Sequence, residues 1–234
     1  MHSPASPPWT AVIPMRAGSR GLPNKNLLPL AGKPLFWHTL LQAQQAGASQ
    51  AWITTDIERL ELPRALTTPV QVLARPASLA THDTPMLPVL LHLLANTPVA
   101  GTLVLLQPTS PLRQSSDIEQ ALALHQRGEY DLVMTVTHAD SGVLKWGQLQ
   151  GERFVPLGSP EMCFANRQSL PPVVKPNGAV YVFNAEWLRQ RQSLATPRSG
   201  VVVMPAQRSQ DIDNAQDLAD CEAWLSSASN PTHS

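Results

Sequence analysis

Three clusters of residues have the types and spacing to handle a charged, polyhydroxylated ligand. The first is Arg16-Ala-Gly-Ser-Arg20-Gly-Leu-Pro-Asn-Lys25-Asn26, which sets three cations, Arg16, Arg20 and Lys25, among flexible positions directly after a short apolar run. Loops of this kind hold phosphates through cations and backbone N–H groups together. Crowded cations repel one another unless an anion joins them, although a solvated basic turn is the plain alternative. Neither Gly-Lys-Ser/Thr nor Gly-x-Gly-x-x-Gly is present, so the loop is neither a Walker A nor a dinucleotide loop. The second cluster is Asp211 and Asp213. In an extended segment, carboxylates two apart point to one face and can ligate a hard divalent ion. Asp213 or Asn214 could instead simply cap the helix that follows. The third, Gln107-Pro-Thr109-Ser110-Pro-Leu-Arg113, gathers an amide, two hydroxyls and a guanidinium and suits a polyhydroxylated ligand, or else is a proline-stiffened turn. Lys175-Pro-Asn-Gly-Ala-Val-Tyr181 ends in a strand on which Tyr181 faces either core or pocket.

Other chemistries find little support. No Ser/His/Asp or Cys/His arrangement can be argued from spacing, and His38 and His92 fall within expected helices as hydrogen-bonded structural groups. Cys163 and Cys221 lack metal-ligand spacing and read as reduced thiols. Seventeen basic and seventeen acidic side chains cancel, and the six Trp do not interleave with basic residues, so nucleic-acid binding has no electrostatic footprint. The first eight residues carry no secretory pattern. The apolar stretch 86–106 is interrupted by Pro88, His92, Asn96, Pro98 and Gly101 and reads as helix, turn and strand rather than a membrane span. The expectation is a cytoplasmic protein that engages no membrane.

The elements that must position these clusters alternate. Strands are expected over residues 10–13, 51–55, 70–73, 102–106, 132–137, 179–183 and 201–204. Helices are expected from Pro34 in a first turn to a stop at Gly47, and over 84–94, 186–192 and 214–225. Another should open on a Ser116/Glu119 capping box and stop at Gly128. Short strands with crossover helices make an α/β three-layer domain with a mainly parallel sheet, whose ligands sit beyond the carboxyl ends of the strands. The rhythm breaks over 138–176, read as an insertion whose exposed aromatics mark a partner surface. The domain therefore spans 9–227, flanked by flexible tails at 1–8 and 228–234.

Taken in order, these motifs resemble the acylneuraminate cytidylyltransferases, the CMP-sialic acid synthetases. The resemblance rests on Ile13-Pro-Met-Arg16 through Asn26, Arg75-Pro-Ala-Ser-Leu-Ala80 with Asp83-Thr84, Leu106 through Arg113, Pro176 through Tyr181, and Asp211-Ile-Asp213. It runs over nearly the whole chain. It implies a three-layer Rossmann-like nucleotidyltransferase fold and transfer of CMP from CTP to the anomeric hydroxyl of a nine-carbon 2-keto sugar acid, with release of pyrophosphate. Arg16, Arg20 and Lys25 would hold the triphosphate, with Asn26 near the cytosine and Ala80, Asp83 and Thr84 also on the nucleotide. Asp211 and Asp213 would bind Mg²⁺, while Gln107, Thr109, Ser110, Lys145, Arg167 and Tyr181 would contact the sugar. The same resemblance makes 138–176 a homodimerisation insertion that roofs the neighbour's site. The chain departs from the family at Met15, Arg20 and Pro85-Met86, by one added residue at His82, and by a shorter segment over 57–68. Alternatives are the same chemistry on legionaminic, pseudaminic or 3-deoxy-manno-octulosonic acid, or a nucleotide-sugar binding protein without turnover.

Overall fold

In the computed structural model residues 7–18 and 21–229 are described. Eleven strands and five α-helices follow in order. They are β1 (Trp9–Pro14), the two-residue strands β2 (Pro29–Leu30) and β3 (Lys33–Pro34), α1 (Leu35–Gln45), β4 (Gln50–Thr55), β5 (Val70–Ala74), α2 (Met86–Asn96) and β6 (Thr102–Leu106). After these come α3 (Ser115–His125), β7 (Leu132–Ala139), β8 (Gly147–Gln150), β9 (Arg153–Pro156), β10 (Val173–Asn184), α4 (Ala185–Arg191), β11 (Ser199–Val203) and α5 (Ala215–Ser229).

Every residue of β1 is buried. That continuous apolar run is what a strand covered on both faces requires. β1 lies inside a seven-stranded sheet of order β11-β7-β10-β6-β1-β4-β5, between β6 and β4. All neighbours pair in parallel except β10, which runs antiparallel to both β6 and β7. Side chains alternate across it. Ala11, Ile13, Ile53, Val104 and Leu106 meet Phe36 and Leu40 of α1 and Ile118 and Leu122 of α3 on one face. Val12, Trp52, Leu103 and Leu105 meet Leu90 and Leu93 of α2 and Leu188 of α4 on the other. A third core joins α5 through Cys221 to Leu30, Leu35, Leu112 and Ile212. The expected three-layer architecture is therefore present.

Several expected boundaries move. Pro34 is the N-cap of α1 rather than a first-turn residue, and Gly47 follows the helix at φ 81°. α2 begins at Met86 instead of Thr84, because residues 81–84 close their own turn. The Thr84 N–H reaches the Thr81 carbonyl at 3.4 Å and the two hydroxyls meet at 2.6 Å. The capping box of α3 is Gln114 with Asp117, not Ser116 with Glu119. Gln-Ser-Ser-Asp-Ile-Glu offers the spacing twice, and Asp117 has a second partner in Arg208, at 2.6 Å. Residues 57–69 carry no helix or strand.

The largest difference lies around the insertion. β7 continues to Ala139 and β10 begins at Val173, and these extensions pair with each other from Val173↔Ala139 to Pro176↔Val136. The register then shifts before Tyr181. The insertion thus leaves and rejoins the domain on one antiparallel arm, which carries the β8–β9 hairpin and three 3-10 turns. Trp146, Leu149, Phe154 and Phe164 of this arm are exposed.

Candidate active site

From β1 the chain passes to β4 and β5 on one side, then crosses to β6 on the other, so the sheet reverses between β1 and β6. Ligands of open α/β sheets bind at such a reversal, outside the strands' carboxyl ends. A cleft of about 160 Å³ opens there, with Arg16, Lys25, Asn26 and Arg75 against Gln107 and Thr109 in its walls. Leu79, Met86, Val89, Thr81, His82 and Thr84 also line it, as do Pro14, Met15 and Pro108.

The loop after β1 is pinned at both ends. The Ala17 N–H donates to Asp56 Oδ1 at 2.8 Å, and buried Asn26 donates from Nδ2 to the Arg16 carbonyl at 3.2 Å. Lys25 Nζ spans to the segment before α5, donating to the Ile212 carbonyl at 2.5 Å and to Asp213 Oδ1 at 3.1 Å. Gly21 sits so close to this segment that a Cβ on it would lie 2.2 Å from the Asp213 carbonyl oxygen. The segment is also tied to the β6 loop, where the Ile212 N–H meets the Thr109 carbonyl at 2.8 Å. Arg208 fastens it to α3 through Asp117, and Asn177 Nδ2 donates to Ser209 Oγ at 2.9 Å.

Ile212 is buried between exposed Asp211 and Asp213, so both carboxylates stand on the open side of this segment. Desolvation by the surrounding protein pushes the Asp211 carboxyl up; the Thr109 hydrogen bond and Lys25 oppose this, while the Asp213 charge adds to it. Two repelling carboxylates fit a divalent cation. Among the described residues no cluster of three His, Cys, Asp or Glu could hold a metal by itself. Phosphate oxygens and water would complete the shell, as Mg²⁺ commonly requires.

Arg75 is the residue whose role the sequence reading missed. Only 8% exposed, it donates from Nη2 to the Thr54 carbonyl at 2.6 Å in the cleft wall. Burial brings its guanidinium down to about 10, and the nearby Arg16 charge contributes. Two guanidiniums converging on one cleft make an anion site. The signal in the sequence was an arginine directly after a strand.

Arg113, read from sequence as one of the ligand-facing groups, is 1% exposed and structural. Nη1 donates to the carbonyls of Ala179 (2.6 Å) and Gln107 (3.3 Å), and Nη2 to Thr39 Oγ1 (3.0 Å) and Gln42 Oε1 (2.9 Å). Ser110 is likewise buried, with no partner for its Oγ among the described residues, and does not line the cleft. Ala80 lines a neighbouring hollow with Asp56 and Arg75. Asp83 is on the 81–84 turn beside the cleft, 2.7 Å from the His82 ring. Tyr181 answers its open question both ways. It packs on the α2/α4 side core, yet burial first and the Asp211 charge second push its hydroxyl up. Lys145 and Arg167 lie on the arm rather than in this chain's cleft lining, Arg167 pairing with Asp140. Arg20 falls outside the described residues.

The chain is thus a three-layer α/β protein with a cation-lined cleft at its sheet reversal. A family model described as cytidylyltransferase matches residues 10–147, and the chain belongs to that family. It is 31% identical over 214 residues to an N-acylneuraminate cytidylyltransferase of Streptococcus agalactiae serotype V, a match covering 88% of this chain and 51% of the relative. The chain thus spans about half the length of that relative. It is 28% identical to the CMP-N,N'-diacetyllegionaminic acid synthase of Legionella pneumophila, over 89% of this chain and 92% of that one. In fold it superposes on a CMP:2-keto-3-deoxy-manno-octonic acid synthetase complexed with CTP. The TM-score is 0.70 at 19% identity, with 95% and 100% of the chains covered. Among the described residues no helix is long and apolar enough to cross a membrane.

Proposed function

We propose that the protein is a cytoplasmic cytidylyltransferase that moves CMP from CTP to the anomeric hydroxyl of a nonulosonic acid and releases pyrophosphate. The observation that carries this reading is the convergence, at one sheet reversal, of the Arg16–Lys25 loop, the Gln107–Thr109 loop and the Asp211–Asp213 segment. The acceptor oxygen attacks the α-phosphorus as the bond to pyrophosphate breaks, and the acceptor hydroxyl's proton passes to solvent water. Such a step depends on positioning and on neutralising charge. Arg16, Lys25 and Arg75 supply positive charge against the triphosphate, and Gln107 and Thr109 orient the acceptor. Asp211 and Asp213 would hold Mg²⁺. When bound, that ion screens phosphate charge and lowers the pKa of an attacking hydroxyl.

The exposed apolar side chains of the arm support a homodimer, with Phe164 at 91% and Leu149 at 80% exposure. Lys145 and Arg167 would then serve the partner's cleft. Pyrophosphate release with CTP and Mg²⁺ tests the proposal across N-acetylneuraminic, legionaminic, pseudaminic and 3-deoxy-manno-octulosonic acids, with ATP, GTP and UTP as controls. Release with CTP and a nine-carbon acid supports it, and the acid that works names the acceptor. Silence across the panel rejects it. The near full-length match to the Legionella relative makes a legionaminic acid the second acceptor to examine.

A further inference from the structure

Asp211 and Asp213 stand on the connection from β11 to α5, which is coil apart from one 3-10 turn, Ala206–Ser209. Carboxylates on such a stretch keep their placement only if something outside it holds them. Arg208 does so with its side chain. Its Nη2 donates to Asp117 Oδ1 at 2.6 Å and its Nε to Asp117 Oδ2 at 3.3 Å, a two-bond fork that fixes orientation as well as distance. The Asp117 side chain is 2% exposed and that of Arg208 22%. Asp117 is held in turn, since its Oδ2 accepts the Gln114 N–H at 2.9 Å. Gln114 follows directly on the loop that lines the cleft through Gln107 and Thr109. One ion pair therefore joins the carboxylate segment to the end of the acceptor loop, and the 2.8 Å bond from the Ile212 N–H to the Thr109 carbonyl links the same two pieces again.

We infer that Arg208 is a positioning residue for the divalent cation: through Asp117 it holds Asp211 and Asp213 in place against the acceptor loop, where an ion carried by the nucleotide can meet them. This rests on the proposed nucleotide and metal reading of the cleft. Mg²⁺ demands near-ideal octahedral geometry, so a carboxylate pair left loose binds it poorly even with its charge intact. Groups that orient metal ligands without touching the metal contribute about 10–100-fold in affinity or activity. Charge and position pull in opposite directions here. Arg208 is a cation on the same segment as the two carboxylates, so by Coulomb's law alone its removal favours a divalent ion, whereas the loss of position disfavours one. The sign of the effect separates the two, and a residue that merely stabilises the fold moves the melting temperature and leaves the metal dependence where it was.

The test is calorimetric titration of CTP into the full chain, once with Mg²⁺ and once in EDTA, which gives the gain in CTP affinity due to the metal, alongside pyrophosphate release with the acceptor panel. Arg208→Met alone strands the buried Asp117 carboxylate and costs stability. The main variant is therefore Asp117→Asn/Arg208→Met, which removes the pair without changing net charge and leaves an amide oxygen for the Gln114 N–H. In this double variant the CTP affinity in EDTA should stay within about threefold of the unmodified protein, while the Mg²⁺ gain falls by about tenfold or more. Arg208→Lys, which keeps the charge but not the fork, should fall in between. An unchanged Mg²⁺ gain in the double variant, whatever its Tm, would overturn the inference and leave Arg208 a stabilising residue. A larger gain in Arg208→Met would also overturn it, because charge then outweighs position. So would an equal loss of affinity with and without Mg²⁺, or an unmodified protein that binds no CTP or whose CTP affinity ignores Mg²⁺. A gain lost in the double variant without any pyrophosphate release from the unmodified protein would reject the transfer reaction and leave this inference standing. Normal release with an unmoved gain would do the reverse.

Discussion

Replacing Arg113 with Met tests whether the acceptor loop is held from behind. The guanidinium has no carboxylate within ion-pair distance among the described residues, and burial brings it down to about 9. So far below an arginine's ordinary value, keeping it charged there costs about 5 kcal/mol. Its four hydrogen bonds go to acceptors on three segments, α1 supplying two and the Gln107 and Ala179 carbonyls the rest. Bonds from a charged donor contribute about 1.5–3 kcal/mol each, so together they exceed the burial cost by a few kcal/mol. Arg113→Met relieves the buried charge but leaves those acceptors unpaired, and a loss of about 3–5 kcal/mol is expected. In a domain of this size that is a fall in Tm of about 10 °C. Urea denaturation of both proteins, followed by Trp fluorescence, reads the difference as a shift in midpoint. Arg113→Lys should recover only part of it, because an ammonium cannot fork to four acceptors. A loss below about 1 kcal/mol would refute the reasoning and return Arg113 to the ligand.

Gly21→Ala would press a methyl group into the Asp213 carbonyl, 2.2 Å from its Cβ, and displace the loop from Asp213 by about 1 Å. Turnover should drop about 100-fold with little change in Tm, and turnover within threefold of the unmodified protein would show that the contact gives way freely. Asp211→Asn should remove most activity and raise the Mg²⁺ concentration needed for half-maximal rate, and unchanged turnover at limiting Mg²⁺ would sink the metal assignment. Arg167→Ala should raise KM for the sugar acid and barely alter that for CTP; equal effects would misplace it. Burial lowers the pKa of both His38 and His125 below 6.5. The unfolded chain then takes up protons that the folded one resists, so stability should fall as pH drops through 6.5 and level off once the folded sites protonate too. Thermal melts from pH 8 to 5 check this, and a His38→Gln/His125→Gln double variant should flatten the curve.

The central strands and their helices are legible in the sequence because burial on both faces leaves continuous apolar runs, as in β1 and β6. That Arg16, Lys25, Gln107 and Thr109 come together in one cleft is legible because they lie on the loops that follow the carboxyl ends of such runs. The arm was not legible. Its strands at 137–139 and 173–176 are partly exposed and gain stability from pairing with each other, which leaves no hydrophobic period to read. Nor does spacing distinguish Arg113, which holds carbonyls together, from Arg75, which faces a cleft. Only the fold decides which guanidinium is surrounded. Asp117 is a similar case, since its link to Arg208 spans residues remote in sequence.

Because Ala139 and Val173 are register partners, everything between them hangs from a single pair of facing residues. Residues 140–172 can therefore be viewed as an overgrown hairpin turn. Substituting a two-residue Asn-Gly connection would close β7 onto β10 without altering the strand order of the main sheet. The arm can then be lengthened, shortened or removed without redesigning the cleft floor, because the sheet closes at the Ala139↔Val173 pair whatever lies beyond it.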